Sequence, residues 1–288
     1  MKHFAVLLTL ATVLTGCAAT GEPPTTAAPP SPAVSLPPEH PGPGGHDLAL
    51  LHGGVRRDYR LHAPPGWTPG TVLPLVLVFH GQPGTGADAE RISRMTPVAD
   101  AKGFLVAYPQ GFGERWNTSA SGGADDVGFV AALLDHLSRD WGADPKRTYA
   151  AGFSNGAAFT YRLARDLPGR FGALAPVSGR IETERDAAPP LATPVSLLTF
   201  QGSVDRFAGS WPGTNNLWRR LAACGEPAVR TLNGPHGKAH RYTAACAGGT
   251  EHVVYSVIDM GHDWPVGGDH PVDADTLIWD FFTHHPLP

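Results

Sequence analysis

The sequence has few cysteines, little charge and no metal-binding pattern. Cysteine occurs 3 times in 288 residues, and 22 lysines and arginines are nearly balanced by 26 aspartates and glutamates. These charges form no basic stripe, which argues against a nucleic acid as a partner. Neither C-x-x-C nor H-E-x-x-H spacing occurs, so the sequence suggests no structural or catalytic metal ion.

The amino-terminal segment has the pattern of a targeting signal and is not expected to be part of the fold. Residues 1–3 supply positive charge, and the apolar run over residues 4–14 is too short to span a membrane as a mature helix. The run ends in L-T-G-C at Cys17, which resembles the lipobox of bacterial lipoproteins. We expect residues 1–16 to be a signal peptide and a lipid on Cys17 to anchor an extracellular protein to a membrane. An ordinary secretory signal with a chance cysteine is the alternative.

Residues 17–45 form a predicted linker. Proline, alanine, threonine and glycine dominate this stretch, so it cannot bury enough apolar surface to fold. We interpret it as a semi-extended tether that holds a folded domain, residues 46–288, away from the membrane. A disordered tail of no consequence has the same composition.

Cys224 and Cys246 remain once Cys17 carries a lipid. Two cysteines in an exported protein are usually oxidised, so we expect a disulfide bond between them. Closing a loop of this length is worth about 3 kcal/mol in the chain-entropy model. Two free buried thiols are the alternative.

Beyond residue 46, apolar strands alternate with helical segments. An antiparallel pair opens the domain, and the unbroken apolar run over residues 75–79 is typical of a strand buried on both faces. This alternation predicts the α/β-hydrolase fold, a mainly parallel sheet with helices on both faces. Predicted strands cover residues 47–51, 56–62, 75–79, 104–108, 148–151, 171–177, 195–201, 241–243 and 252–258, and predicted helices cover 88–101, 126–139, 155–166, 214–223 and 273–284.

Residues 148–158 have the pattern of a nucleophile elbow, a strand and a helix joined by a sharp G-F-S-N-G turn. A side chain at Gly152 or Gly156 would strike the neighbouring strand or helix. Ser154 would then stand above the sheet near a helix N-terminus, whose partial positive charge suits a developing anion. A glycine-rich turn that only joins a strand to a helix is the alternative.

A serine nucleophile needs a base, and in this fold an acid and then a histidine follow it along the chain. Asp205 comes just after the predicted strand 195–201, and His262 follows the predicted strand 252–258. We predict that Ser154 attacks an ester carbonyl and that His262 accepts its proton and returns it to the leaving alkoxide. Asp205 would orient the imidazole and stabilise its charged form.

Other residues compete for two of these roles. Asp259 and Asp263 lie nearer to His262 in the chain, but neighbours on one turn rarely face each other, so they rank second to Asp205. None of the rival histidines occupies the position after the last strand. These rivals are His236, His240, His252 and His270.

Two backbone N–H groups would bind the oxyanion. Asn155 follows the nucleophile, and Gln82 lies in the loop after the strand 75–79, where Gly81 allows a close backbone approach. We also assign His80, Trp116 and Trp264 to the substrate-binding residues, because they fall in loops at the expected catalytic edge. Core packing is the alternative for these tryptophans and for Trp211, and a simple strand exit is the alternative for His80.

Several motifs in one order resemble a known family. They are F-H-G-Q, Y-P-Q-G, W-N, D-D-V-G-F, G-F-S-N-G-A, the Asp205 loop, the two cysteines and G-H-D-W-P, and they extend over residues 47–284. Together they resemble secreted polyhydroxybutyrate-depolymerase-like esterases, which are related to bacterial feruloyl and acetyl-xylan esterases. The resemblance implies ester hydrolysis without a cofactor, the Ser154–Asp205–His262 triad and the disulfide bond.

The chain departs from this family at two loops. Family members usually carry H-G-T-x-D before the acid and several glycines before the histidine. Here the acid loop reads Q-G-S-V-D-R-F, and Gly261 is the only adjacent glycine. Both departures leave the catalytic groups in place and bear on polymer preference.

We therefore expect a lipid-anchored extracellular carboxylesterase for short-chain polyester or hydroxyalkanoate oligomers. Feruloyl or acetyl esters of plant polysaccharides are the alternative substrates, and a peptidase on the same fold ranks third. A non-catalytic lipoprotein that captures a glycan or polymer, and a structural envelope protein, are the alternatives from other functional classes.

Overall fold

The computed structural model of the protein describes residues 42–119, 122–181 and 189–288. The predicted signal peptide, the predicted lipidation site Cys17 and the linker up to residue 41 lie outside these residues. Within the described ranges, no helix is both long enough and apolar enough to cross a membrane.

The strands of the described residues form one mixed sheet. Their bounds are β1 (Gly44–His52), β2 (Val55–Ala63), β3 (Leu73–Phe79), β4 (Leu105–Pro109), β5 (Ala143–Phe153), β6 (Ala173–Val177), β7 (Ser196–Gly202), β8 (Ala228–Gly234), β9 (Gly237–Ala245) and β10 (Glu251–Val257). They are ordered β1-β2-β4-β3-β5-β6-β7-β10-β9-β8. From β4 to β10 in this order every pairing is parallel, and the strands at both edges are antiparallel. The predicted mainly parallel sheet is confirmed.

Helices cover both faces of this sheet. They are α1 (Gly86–Ser93), α2 (Met95–Lys102), α3 (Asp126–Trp141), α4 (Asn155–Asp166), α5 (Trp211–Leu221) and α6 (Ala274–Thr283). One core contains side chains of α3, α4 and α5, and the other contains side chains of α1, α2 and α6. Strand β3 contributes side chains to both cores, since Leu75 and Leu77 pack in the first while Val76 and Val78 pack in the second. Its unbroken apolar sequence follows from this two-sided burial.

The single helix expected over residues 88–101 is wrong, because the chain forms α1 and α2 there. Arg94 lies between them with a left-handed φ of 52°. Pro97, in the first turn of α2, has no N–H to bond to the carbonyl of residue 93 and so prevents one continuous helix. The first helix also starts earlier than expected, since Thr85 and Asp88 form a capping box at its N-terminus.

The hairpin β8–β9 at one edge of the sheet is longer than the short strand expected over residues 241–243. Most of the β8 side chains are exposed, so the alternation of apolar and polar residues that reveals a half-buried strand is absent. Its backbone pairs with β9 over the full length of the strand. The length of β8 therefore follows from its backbone pairing with β9 and not from side-chain burial.

Cys224 and Cys246 are joined by a disulfide bond, which confirms the predicted pairing. The bond connects the chain just after α5 to the end of β9, where the N–H of Gly225 also donates to the carbonyl of Ala245 at 2.9 Å. It therefore fastens the edge hairpin to the helix that precedes it.

Removing this bond is expected to destabilise the domain. The double variant Cys224→Ser/Cys246→Ser should lose about 3 kcal/mol of unfolding free energy, because the unfolded chain regains the entropy of the open loop. Urea unfolding of the variant, compared with oxidised and reduced wild type, measures the loss. A variant as stable as oxidised wild type would contradict the expectation.

Candidate active site

Ser154 lies at the junction between β5 and α4 in a strained backbone conformation. Its φ is 54° and its ψ is −112°, and its N–H donates to the carbonyl of Val177 on the neighbouring strand at 3.0 Å. A Cβ at Gly156 would lie 2.6 Å from the carbonyl oxygen of His80, and a Cβ at Gly152 would strike the backbone of Gly156. The two glycines of the motif therefore let strand and helix meet closely enough to lift Ser154 above the sheet.

The structure brings Ser154, His262 and Asp205 into one chain of hydrogen bonds. Ser154 Oγ lies 2.8 Å from His262 Nε2, and His262 Nδ1 lies 2.9 Å from Asp205 Oδ2. The other carboxylate oxygen of Asp205 accepts from the N–H of Phe207 at 2.8 Å. With Nδ1–H donating to the carboxylate, Nε2 is left to accept the serine proton.

The three side chains belong to loops at the carboxyl ends of β5, β7 and β10. Parallel strands end at the same edge of the sheet, where ligands of open α/β sheets bind. Gly202 lets the last two of these loops meet, because a Cβ there would strike the carbonyl oxygens of Met260 and Gly261. The N–H of Val204 also donates to the Met260 carbonyl at 3.1 Å.

The burial of the triad is graded. The Asp205 side chain is fully enclosed, whereas 16% of the His262 side chain is exposed. The buried carboxylate beside the imidazole restrains its orientation through the hydrogen bond to Nδ1. The rings of Phe153 and Phe207 flank that imidazole at centroid distances of 5.0 and 5.3 Å.

The rival residues have other contacts. Asp263 Oδ2 lies 3.3 Å from His270 Nε2, and the N–H of Asp259 donates to Ser203 Oγ. His240 lies against Thr231. Among the described residues, the hydrogen bonds of His262 therefore favour Asp205 as the acid partner.

Asn155 is the first residue of α4, so its backbone N–H has no partner within the helix. Its side chain is held by the neighbouring loop, since Oδ1 accepts from the Trp116 N–H at 2.7 Å and Nδ2 donates to the Trp116 carbonyl at 3.2 Å. Gln82 lines the same cleft, and the preceding Gly81 lies so close to the elbow that a Cβ there would be 3.5 Å from the Ser154 Cβ. The positions of both residues fit their predicted oxyanion roles.

His80 is not a substrate-binding side chain. Its ring is fully buried, Nε2 accepts from the Gly111 N–H at 2.9 Å, and Nδ1 donates to the Gly81 carbonyl at 2.7 Å. Burial lowers the pKa of His80, which keeps the ring neutral. The histidine ties two loops together beneath the cleft, and its place at a strand exit did not reveal that its ring points inward.

The two predicted tryptophans are also buried. Trp264 is 2% exposed and its Nε1 donates to Asp275 Oδ1 at 2.8 Å, so this ring belongs to the core and its predicted contact with substrate is wrong. The Trp116 ring stacks on Phe159 at 4.9 Å and its Nε1 donates to the His80 carbonyl at 3.1 Å. Trp116 borders the cleft, but its ring supports the loop that holds Asn155.

The cleft above Ser154 has a volume of about 640 Å³. Five further residues form much of its rim, namely Phe112, Arg115, Arg180, Arg206 and Phe207. The guanidinium groups of Arg180 and Arg206 lie 5.1 and 5.0 Å from the centre of the Phe207 ring, within reach of a cation–π interaction. The sequence singled out the acid loop that contains Arg206 and Phe207. No local pattern showed that Phe112, Arg115 and Arg180 would join it at this cleft, because they come from other loops far apart in the chain.

Among the described residues, no group of three or more histidine, cysteine, aspartate or glutamate side chains has the geometry to hold a metal ion. The polar groups at Ser154 are those of acyl transfer, a nucleophile, a base, an acid and N–H donors.

Comparisons with known proteins show similarity to esterases. Residues 57–192 match the family described as Esterase PHB depolymerase. The bifunctional acetylxylan esterase/xylanase XynS20E of Neocallimastix patriciarum is 32% identical over 79% of this chain and 33% of its own length. Feruloyl esterase B of Piromyces equi is 27% identical over 78% of this chain and 44% of its length. The chain thus spans less than half the length of these relatives.

A solved structure shares the fold. The acetyl xylan esterase from Aspergillus awamori superposes with a TM-score of 0.61 at 17% identity, over 78% of this chain and 94% of that one. The ten-stranded sheet is consistent with this fold. Ser154 of the Ser–Asp–His arrangement lies within the residues that match the family model, 57–192. The chain has the α/β-hydrolase fold, and it is similar to esterases related to polyhydroxybutyrate depolymerases.

Proposed function

We propose that the protein is a serine carboxylesterase that hydrolyses short-chain esters through an acyl-enzyme. The observation that carries this proposal is the hydrogen-bonded chain from Ser154 through His262 to the buried Asp205. It opens on a cleft of about 640 Å³, within the size range of ligand pockets.

The reaction runs in two halves. Ser154 Oγ forms a bond to the ester carbonyl carbon while His262 Nε2 takes the hydroxyl proton, and the collapse of the tetrahedral intermediate breaks the bond to the alkoxide, which receives that proton. Water then attacks the acyl-enzyme with the same proton route and releases the acid. The N–H groups of Asn155 and Gln82 would bind the oxyanion, each worth about 3–4 kcal/mol of transition-state stabilisation.

The charge around the cleft supports esters that also carry a carboxylate. The whole chain has a net charge of −4, yet three arginines border the cleft. Of the two acids at the same rim, Asp126 is paired with the buried Arg57 and Glu114 is exposed. We therefore propose oligomers of hydroxyalkanoates, such as 3-hydroxybutyrate, as preferred substrates, since each has a free carboxylate at one end.

Arg206→Gln tests this preference. The substitution should raise the KM for a free 3-hydroxybutyrate trimer about three- to fivefold, because one exposed ion pair is worth up to about 1 kcal/mol. The KM for the methyl ester of the trimer should stay unchanged. Initial-rate kinetics on both substrates measure the difference, with Arg230→Gln on the exposed strand β8 as the matched control.

A second candidate is an esterase for acetyl or feruloyl groups on plant polysaccharides. Its support is that the two relatives are an acetylxylan esterase/xylanase and a feruloyl esterase. Rates on acetylated xylan and methyl ferulate, measured beside the hydroxybutyrate trimer, separate the two. Faster turnover of either polysaccharide-type ester, with equal effects of Arg206→Gln on the free and methylated trimer, would decide for this candidate.

We also propose that the protein is exported and held at the membrane by a lipid on Cys17. The L-T-G-C motif and the disulfide bond support an extracellular location, because structural disulfides form mainly in oxidising compartments. Cys17→Ala should move the protein from the detergent phase of a Triton X-114 extract to the aqueous phase. Equal partitioning of variant and wild type would exclude lipid anchoring.

A further inference from the structure

The turn that follows β6 contains a serine in a strained backbone conformation. Ser178 comes directly after the last residue of β6 and has a left-handed φ of 51°. This region favours glycine, because a Cβ crowds the backbone there. The side chain of Ser178 is also fully buried. Strained residues that persist in a fold are concentrated at functional sites, so the contacts of the Ser178 hydroxyl group indicate what this side chain does.

The hydroxyl group of Ser178 bonds to the loop that carries the predicted base. Its Oγ donates to the backbone carbonyl of Asp263 at 2.7 Å. Asp263 is the next residue after His262, so this bond restrains the backbone beside the imidazole. The backbone of Ser178 is itself fixed to the sheet, since its N–H donates to the carbonyl of Phe200 on β7 at 2.9 Å. The hydroxyl group therefore projects from a firmly held position.

The residue before Ser178 bonds to the nucleophile elbow. Val177 accepts at its carbonyl from the N–H of Ser154 at 3.0 Å. Two consecutive residues at the end of β6 therefore hold the elbow and the loop of the base. Ser154 and His262 are 108 residues apart in the chain, and both are bonded, directly or through Asp263, to this one point of the sheet.

The chain after Ser178 packs tightly against the elbow. A Cβ at Gly179 would strike the Cβ of Ala157 in α4 and would lie 2.7 Å from the carbonyl oxygen of Ser154. Such close packing leaves the turn little freedom to move. The position of the Ser178 hydroxyl group is therefore set relative to the nucleophile.

The other anchors of the His262 loop act farther from the imidazole. The carbonyl of Met260 accepts from the Val204 N–H at 3.1 Å, and the Trp264 indole donates to Asp275 at 2.8 Å. Met260 and Trp264 each lie two residues from His262. The bond from Ser178 acts on the adjacent residue, so its loss should be felt most directly at the ring.

We propose that Ser178 is a positioning residue that holds the imidazole of His262 within hydrogen-bond reach of Ser154. A base must lie within this reach to accept a proton in the transition state, and a small misplacement of catalytic groups slows a reaction strongly. Because Ser178 is fully buried, it acts through the His262 loop and not on the substrate. This inference rests on the proposed esterase function, in which His262 is the base.

Two substitutions separate positioning from folding. Ser178→Ala removes the hydroxyl group and keeps the strained backbone, whereas Ser178→Gly removes the hydroxyl group and relieves the strain. Ser178→Gly should therefore unfold at a higher urea concentration than Ser178→Ala. Both should lower kcat for p-nitrophenyl butyrate about tenfold with little change in KM. If Ser178→Ala does not fold, the kcat of Ser178→Gly decides alone.

Ser196→Ala is the matched control for the lost hydroxyl group. Ser196 is 1% exposed, and its Oγ accepts from the N–H of Glu251 at 3.2 Å. It is the first residue of β7, at the end of that strand opposite to Asp205. Its substitution also removes one buried hydrogen bond, and it should leave kcat and KM unchanged.

The hydrogen on Nδ1 of His262 provides a second measurement that requires no turnover. Its bond to Asp205 slows its exchange with water, and a loop that opens more often exchanges faster. NMR of protein with ¹⁵N-labelled histidine follows this exchange, and His262→Gln identifies the signal. We expect exchange about tenfold faster in both Ser178 variants and unchanged in Ser196→Ala.

Two results would overturn the proposal. The first is a wild-type kcat in folded Ser178→Gly, which would mean that the hydroxyl group does not position the base. The second is an unchanged exchange rate of the Nδ1 hydrogen in the Ser178 variants. A wild-type protein that hydrolyses no ester would contradict the proposed function, and the exchange rates would still decide the role of Ser178.

Discussion

Ser154→Ala is expected to reduce kcat for p-nitrophenyl butyrate by about 10⁴- to 10⁶-fold. The variant loses the atom that attacks the carbonyl, and His262 then has no hydroxyl to deprotonate. The backbone at this position should remain folded, because alanine also retains a Cβ and the tight contacts of the elbow fall on the neighbouring glycines. Residual activity would come from the oxyanion donors and from substrate binding alone.

Ser203→Ala is the matched control for this loss. Ser203 lies in the acid loop, and its Oγ accepts from the N–H of Asp259 rather than facing His262. Its removal should change kcat by no more than a few-fold, since a neutral hydrogen bond of this kind is worth about 1 kcal/mol. Initial rates and circular dichroism of both variants provide the measurement.

Ser154→Ala also distinguishes a catalytic protein from one that only binds its ligand. A fluorophosphonate should label wild type and Ser203→Ala but not Ser154→Ala, because only an activated serine reacts with it. Unlabelled, folded wild type would favour the non-catalytic binding lipoprotein, and full esterase activity in Ser154→Ala would place the nucleophile elsewhere.

Asp205→Asn is expected to lower kcat about 10⁴-fold with little change in KM. The amide would present an N–H to His262 and favour the tautomer whose Nε2 carries the hydrogen, so that the imidazole could no longer accept the serine proton. The Phe207 N–H bond to the side-chain oxygen can persist in the variant, which keeps the loop in place. The loss should therefore fall on proton transfer rather than on folding.

Asp263→Asn decides between the two candidate acids. Asp263 is close to His262 in the chain, but its carboxylate lies beside His270. The variant should retain activity within about threefold of wild type, as expected for an exposed pair worth less than 1 kcal/mol. Steady-state kinetics of the two variants give the answer, and a larger loss in Asp263→Asn than in Asp205→Asn would reverse the assignment.

Local sequence carried enough information to find the elbow. A Cβ at Gly152 would clash with the backbone of Gly156, and a Cβ at Gly156 would clash with the carbonyl of Phe79 at the end of β3. The spacing of the two glycines therefore follows from these steric contacts. The position of Asp205 and His262 after strands was also visible, because buried strands are apolar and their ends are abrupt. Chain order alone then allowed the triad to be predicted, and in the structure the His262 ring lies 2.8 Å from Ser154 Oγ and 2.9 Å from Asp205 Oδ2.

The sequence did not predict the direction in which the loop side chains point. His80 and Trp264 both follow strands at the catalytic edge, yet their rings point into the protein, where they bond to Gly111 and Asp275. Whether a loop residue faces solvent or core depends on backbone dihedrals and on the space left by other elements. Neither quantity can be read from a short motif.

The sequence by itself determined the fold class, the pairing of Cys224 with Cys246 and the identity of three side chains at one sheet edge. These follow from period, spacing and chain order, which are local properties. Only the tertiary structure decided that arginines from three separate loops border one cleft. Convergence of residues distant in the chain is a product of packing, so no local pattern encodes it.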